Sequence, residues 1–234
     1  MQIKIDNDFL SLFPEANIQV LAIDDLAQLK EKNVELWKDR AQEHVRSSKI
    51  QSELLAQESE FREWREAYSK FGLRPSKFRS SVEQLWKRAL KGDMVETPVA
   101  LVNLYCYTSI ISHVPLGGYD LDRVVGDIVV RRSREGETFL GIGEKQETIV
   151  PPGVVIYADD SRVLCFGWNH RDSEHACLRH ETRRAVFFAD SASTQSRQRA
   201  AQSLDLLQQA LEEFGCRGAF RGIVDSENQE LSIN

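Results

Sequence analysis

The stretch HRDSEHACLRHET, residues 170–182, holds the densest set of side chains able to do chemistry: His170, His175 and His180 with Glu174, Glu181 and Cys177. A metal centre needs ligands that return to one face. The five-residue interval between these histidines suits neither a helix face nor a strand face and matches no zinc pattern, so the sequence predicts a polar loop and no metal. Nucleophilic catalysis finds no better footing. G-x-S-x-G is absent, and Cys106, Cys165, Cys177 and Cys216 form no C-x-x-C pair and show no evident activating partner. GIGEKQ (141–146) lacks the third glycine and the following helix of a dinucleotide cradle. No cofactor is implied.

A second stretch, HVPLGGYDLDRV (113–124), spends Gly117 and Gly118 between an aromatic-rich segment and an acidic one. Two readings stand side by side. The glycines serve a tight turn after Pro115, or they leave room for a ligand to approach the backbone.

The elements that must position these residues are read from period and punctuation. Residues 2–6 and 18–24 predict strands. From about Asp25 to Lys70 no Gly or Pro interrupts, and Val34, Trp37, Ala41 and Val45 recur at helical spacing, which predicts a helical N-terminal region with a charged, solvated face. Ser76 is read as the cap of a helix that Gly92 ends. VALVNLYCYTSIISHV fits helix or buried strand by period, and its length favours helix. Residues 124–190 predict strands separated by Gly-, Pro- and Asp-containing turns; a helix follows from a Ser/Thr cap to Gly215, with a loose or weakly extended tail. The expected class is α/β (α+β): one domain over 1–234, mostly antiparallel sheet with flanking helices.

Bulk properties narrow the partners. The 234 residues carry a net charge of −6 and contain 41% hydrophobic residues, ordinary for a globular chain and wrong for a non-specific nucleic-acid coat. The charge is uneven, however. RPSKFRSSVEQLWKRALK sets Arg74, Lys77, Arg79, Lys87, Arg88 and Lys91 against the single Glu83, and Arg131, Arg132 and Arg134 form a second basic group. No apolar run is long enough for a membrane span, and the N-terminus does not read as a signal peptide. Four cysteines without a framework imply reduced thiols and a cytoplasmic setting.

The order of three segments resembles a known family. FGLRPSKFRSSVEQL, then TPVALVNLYCYTSIISHVPLGGYDLDRVVGDIVVRRSREGETF, then PPGVVIYADDSRVLCFGWNHRDSEHACLRHETRRAVFFADSAS are similar to the B3/B4 domain, the editing and tRNA-binding module of the phenylalanyl-tRNA synthetase beta chain. The match runs from about Phe71 to Ser193, and LFPEANIQVLAID adds a first strand. The resemblance implies a free-standing, trans-acting deacylase that hydrolyses an amino acid wrongly esterified to tRNA, with a positioned water and neither metal nor covalent intermediate. Gly117 stands where the synthetase turn has a histidine, and Cys106 where it has an asparagine nine residues before the proline. Gly117 and Gly118 are therefore candidates for positioning the water, and the pocket is expected to be wider than the synthetase's. Ser173, Glu174, Thr182, Cys106 and Asp120 become the candidate amino-acid contacts, with Glu174 and Asp120 facing an α-ammonium or guanidinium-like group. The substrates implied are a non-protein amino acid such as canavanine on arginine tRNA, or an aromatic one on phenylalanine tRNA.

Arg74, Lys77, Arg79, Lys87, Arg88, Arg131 and Arg132 are the candidate phosphate contacts, an ordinary solvated face being the competing reading. Trp168 is either a platform for the terminal adenosine or a core residue. A synthetase docking on the N-terminal helices is a further expected partner. The rival classes are a non-catalytic tRNA- or amino-acid-binding module and an unrelated hydrolase using the 170–182 loop.

Overall fold

A computed structural model describes residues 1–26 and 31–233, with no side-chain description for 31–33. In chain order the elements are β1 (Gln2–Ile5), α1 (Asn7–Leu12), β2 (Asn17–Asp25), α2 (Glu31–Ser47), a 3-10 turn (Leu55–Gln57), α3 (Ser59–Lys70), α4 (Ser81–Ala89) and α5 (Ala100–Ser112). Then come β3 (Leu116–Asp120), β4 (Ile128–Arg132), β5 (Thr138–Phe139), β6 (Thr148–Ile149), β7 (Val155–Ala158), β8 (Val163–Phe166) and β9 (Arg171–Asp172). The chain closes with β10 (Ala185–Ser191), α6 (Thr194–Glu213), β11 (Arg217–Asp225) and β12 (Glu230–Ser232). Two larger sheets have the orders β12-β1-β4-β7-β8-β9 and β11-β2-β10-β3, and β5 pairs with β6 in a small hairpin. Among the described pairings only β1 with β4 is parallel. The fold is thus mixed α/β, with antiparallel sheets flanked by helices, as expected.

β2 and β10 form the centre of the four-stranded sheet, and the alternation of core and solvent faces is lost in both. Every residue of β10 is buried, as are the first seven of β2, Asn17–Ile23. α6 covers this sheet, α5 packs between α6 and α2, and α4 lies against α5. Trp64, Trp86 and Trp168 are wholly buried within that arrangement.

The helical region expected over 25–70 falls into separate pieces, and its residues 27–30 lie outside the described ones. The break after Ser47 has a local cause. Ser47 Oγ donates to the His44 carbonyl at 3.1 Å and Ser48 Oγ to the Val45 carbonyl at 2.7 Å, and Lys49 adopts φ 59°. Two serines bonding back to the last turn and a left-handed residue end a helix without Gly or Pro. The next helix begins four residues later than expected: Ser80, not Ser76, caps α4, its Oγ accepting from the Glu83 N–H, while residues 74–78 form a separate turn.

Two further expectations are corrected. The tail is not loose: β11 pairs with β2 along nearly its whole length and β12 pairs with β1, because β2 is buried deeply enough to need a neighbour on each side. Nor do Gly117 and Gly118 form a turn. They lie in β3, opposite Phe188 and Phe187 of β10, and the reversal is made upstream by His113 at φ 58°.

Neighbouring strand residues face opposite sides of the sheet, which separates the two glycines. A Cβ at 118 would stand 2.8 Å from the Phe187 ring and 3.1 Å from Leu178, whereas a Cβ at 117 would meet nothing within 4 Å. Gly118→Ala is therefore expected to destabilise the protein by about 1–3 kcal/mol through overpacking, and Gly117→Ala to leave the unfolding midpoint unchanged. Parallel denaturant unfolding curves of the two variants check this.

Candidate functional site

The open side of Gly117 faces a cavity of about 250 Å³. One face of α4 forms a wall, with Ser81, Gln84, Leu85 and Arg88 spaced at three and four residues; Tyr105 and Cys106 of α5 and Tyr119 of β3 add to it. The opposing sheet contributes Tyr157, Cys165 and the segment Trp168–Asp172, and β10 contributes Phe188 and Asp190.

Two carboxylates dominate the interior. Asp190, 4% exposed, accepts the Tyr157 hydroxyl at 2.5 Å on one oxygen and the Asn169 amide at 3.1 Å on the other. Tyr68 donates to the Asn169 carbonyl oxygen at 3.1 Å, which fixes the amide so that its NH₂ faces Asp190. Burial pushes Asp190 up to about 7, against the lowering effect of polar contacts from Tyr157, Asn169 and Trp168. Asp172 is pushed up to about 6, again by burial, with Cys165 and Tyr119 acting the other way. Neither carboxylate forms an ion pair among the described residues.

The geometry depends on an unusual backbone. Gly167 and Trp168 both adopt positive φ, 69° and 64°. For a bulky residue this conformation is strained and persists only when its surroundings enforce it. Phe9, Phe13 and Trp64 enforce it here, each edge-on to the indole with centroids 4.8–5.0 Å away. The turn delivers Asn169 to Asp190 and carries the chain on to Asp172. Trp168 is thus a core residue behind the cavity wall, at 0% exposure, and offers no surface for stacking a base.

The thiols in the cavity are neutral. Burial lifts Cys106 to about 12 and Cys165 well above its usual value, so neither is a ready nucleophile at neutral pH. Tyr105, Tyr119 and Tyr157 are likewise held protonated by burial, as hydrogen-bond donors.

Of the residues singled out from the sequence, Gly117, Cys106, Arg88, Trp168 and His170 line this cavity. Gly118 points away from it. Ser173, Glu174, Thr182 and Asp120 lie outside its lining and bind one another's neighbourhood instead. Thr182 donates to Asp120 at 2.6 Å, and Ser173 accepts the His175 N–H at 3.0 Å. Glu174 accepts the Gly143 N–H at 3.2 Å and pairs with Arg179 at 3.3 Å. These bonds pin the 173–182 loop to the end of β3 and to the β5–β6 hairpin. The three histidines of that stretch diverge: His170 lies against the Arg79 backbone, His175 beside Arg162, and His180 is exposed. Among the described residues no cluster of three or more His, Cys, Asp or Glu side chains is placed to hold a metal.

The basic residues divide into two places. Arg74 and Lys77 precede α4, and Lys87 and Lys91 lie at its far end; none of the four makes an ion pair among the described residues. Arg88, between them at the cavity, is held by Asp93 at 2.8 and 3.0 Å, and Arg79 pairs with buried Glu83 at 3.3 Å. Arg131 and Arg132 line a different hollow, and Arg131 is occupied by Glu137.

A mixed α/β domain carrying an acidic, tyrosine-lined cavity beside a helix with unpaired cations at both ends is what the fold and the site define. The model of the B3/4 domain matches residues 63–230, and the chain belongs to that family. It is 43% identical over 64 residues to a phenylalanine–tRNA ligase beta subunit of Cutibacterium acnes, a match covering 27% of this chain and 8% of the relative. With that of Chromobacterium violaceum it shares 32% identity over 81 residues, 35% of this chain and 10% of the relative. The chain therefore spans about a tenth or less of these relatives' length. Among solved structures it is similar to an N-terminal fragment of the phenylalanyl-tRNA synthetase beta subunit from Pyrococcus horikoshii, with a TM-score of 0.50. That likeness covers 94% of this chain and 53% of the other at 12% identity, and it establishes the shared fold.

Proposed function

We propose that this protein is a trans-acting editing deacylase that releases an amino acid from a mischarged tRNA, with the amino acid seated in the Asp172–Asp190 cavity. The observation that carries the reading is two carboxylates, Asp190 buried and Asp172 half-buried, with no ion-pair partner among the described residues, in a cavity smaller than the ~300–1,000 Å³ typical of drug-sized ligand sites. Every aminoacyl ester presents an α-ammonium, and a cationic side chain would supply a second charge for the second carboxylate. The cation-binding role first assigned to Glu174 and Asp120 passes in this reading to Asp172 and Asp190. A substrate such as canavanine on arginine tRNA suits it better than an aromatic one.

The chemistry asked of the protein is modest. An ester already activated for acyl transfer needs a water held in line with its carbonyl, and the cavity's neutral thiols leave water as the natural attacking group. The Gly117 backbone and the tyrosine hydroxyls are the groups proposed to orient it, Gly117 also leaving space for the ester end. Phosphates of the acceptor stem would follow α4, where Arg74 and Lys77 on one side and Lys87 and Lys91 on the other make no ion pair among the described residues. A synthetase docking on α2 and α3, and a cytoplasmic setting, belong to the same proposal.

The test is a deacylation panel at one protein concentration, with tRNAs carrying correct and incorrect amino acids, including canavanine on arginine tRNA and tyrosine on phenylalanine tRNA. Selective release of a cationic, mischarged species is the expected result. Binding of tRNA without release from any species would establish a non-catalytic module instead.

A further inference from the structure

Asp172 and Asp190 line one cavity, and the charge of Asp172 adds to burial in raising the proton affinity of Asp190, so the two form one acidic site. Their surroundings offer almost no positive charge. From α3 comes Tyr68, from α5 Tyr105 and Cys106, from β3 Tyr119, from β7 Tyr157 and from β8 Cys165, all neutral when buried. The 168–172 segment adds the Trp168 indole N–H, whose polar contact with Asp190 works against the effect of burial, the Asn169 amide, and His170, whose burial disfavours its charged form. α4 contributes Arg88, committed to Asp93, with Glu83 behind it held by Arg65 and Arg79. Arg171 is committed to Glu144 and the Ile142 carbonyl. Two carboxylates enclosed in this way cannot both stay ionised unless a cation enters with them.

We infer that the empty cavity holds a proton on its carboxylate pair and releases it to solvent when a cationic ligand binds, so that binding is proton-linked. This rests on the reading of the cavity as a receptor for the charged groups of an amino acid. The balance is simple. One carboxyl O–H is lost, the proton goes to the buffer, and the ligand's ammonium or guanidinium takes its place in the field of the carboxylate. Affinity for the cation therefore rises with pH while the pair is still protonated and levels off once it is ionised.

Agmatine is a suitable probe, because its guanidinium and primary ammonium both stay charged through the range tested. Calorimetric titration of the full chain at pH 6.5 in phosphate, Hepes and Tris buffers separates proton release from intrinsic heat. A binding enthalpy that varies linearly with buffer ionisation enthalpy, corresponding to release of roughly half to one proton, is expected. Affinity should rise up to about tenfold per pH unit below pH 6 and become flat above pH 8. Binding with no buffer dependence and a pH-independent affinity overturns the inference alone. Proton release that persists undiminished in the Asp172→Asn/Asp190→Asn double variant also overturns it, by placing the proton elsewhere. Absence of binding at millimolar agmatine removes the cation-receptor reading itself and this inference with it.

Discussion

Asp190→Asn is expected to lower kcat/KM for the mischarged tRNA by about 100-fold while leaving the protein folded. A hydrogen bond to a charged partner contributes about 1.5–3 kcal/mol, and a buried charge pair more, which corresponds to one to three orders of magnitude in rate. The substitution is close to isosteric. Asn keeps an oxygen to accept the Tyr157 hydroxyl, now bonded to Asp190 at 2.5 Å, but turns an NH₂ toward Asn169, which donates to the other oxygen at 3.1 Å. That mismatch costs about 1–3 kcal/mol, offset by the charge no longer buried. Steady-state kinetics with a melting curve on the same sample separates the two effects. Unchanged kcat/KM would remove Asp190 from substrate recognition.

The second large effect is on stability against pH, and two buried groups act in opposite directions. Asp190 has an ordinary carboxyl value of 3.8 when unfolded and about 7 when folded. Its contribution is fully present below pH 4 and is lost as pH rises through 7, because the folded state must then ionise a buried carboxyl. His113 runs the other way. Burial, with the nearby His44, lowers it from 6.5 to about 4, so its contribution is present above pH 6.5 and lost as pH falls toward 4. The ceilings are about 4 kcal/mol for Asp190 and about 3 for His113, at 1.36 kcal/mol per pH unit.

Wild-type stability is therefore expected to change little between pH 5 and 7 as far as these two groups govern it. The variants expose each slope. Asp190→Asn should gain on the wild type as pH rises from 4 to 8. His113→Asn, whose new side chain tolerates the left-handed backbone at φ 58°, should gain on it as pH falls from 7 to 4. Denaturant midpoints at five or six pH values test both; parallel curves for all three proteins would contradict the assignment.

The histidine shows how local the legible part of the sequence is. Nothing in the spacing marks His113, yet its Nε2 lies 2.9 Å from that of His44, and its ring packs between Phe61 and Trp86. Only the packing of α2, α3 and α4 around the end of α5 brings those residues together. Where period and punctuation suffice, the reading carries over: β1, β2, α5 and α6 all fall where spacing and caps predict them. It fails where a side chain replaces the usual signal. Ser47 and Ser48 stop α2 without Gly or Pro, and Ser80 with Glu83 forms a cap that Pro75-Ser76 upstream obscured. β11, RGAFRGIVD, mixes glycines and arginines, so its strand character comes from pairing with β2 rather than from its own pattern.

The site was half legible for the same reason. The family resemblance pointed to Gly117 and Cys106, which do line the cavity. Asp190 sits at the end of the apolar run AVFF, and a carboxylate in a strand buried on both faces is the signal that marks it. Asp172 lies in a histidine-rich stretch, where nothing in the residue spacing distinguishes it from its neighbours. Asn169 and Tyr157 acquire meaning only through contact with Asp190, over separations of 21 and 33 residues.

The most direct measurement of the central claim is single-turnover release of the amino acid from the tRNA that the panel selects, by the wild type and by Gly117→Phe. An added side chain at 117 begins in open space within the cavity, with nothing within 4 Å of its first carbon. The account predicts loss of at least 100-fold in the release rate with unchanged melting and unchanged tRNA affinity. Equal rates in the two proteins would show that the ester is cleaved somewhere other than this cavity.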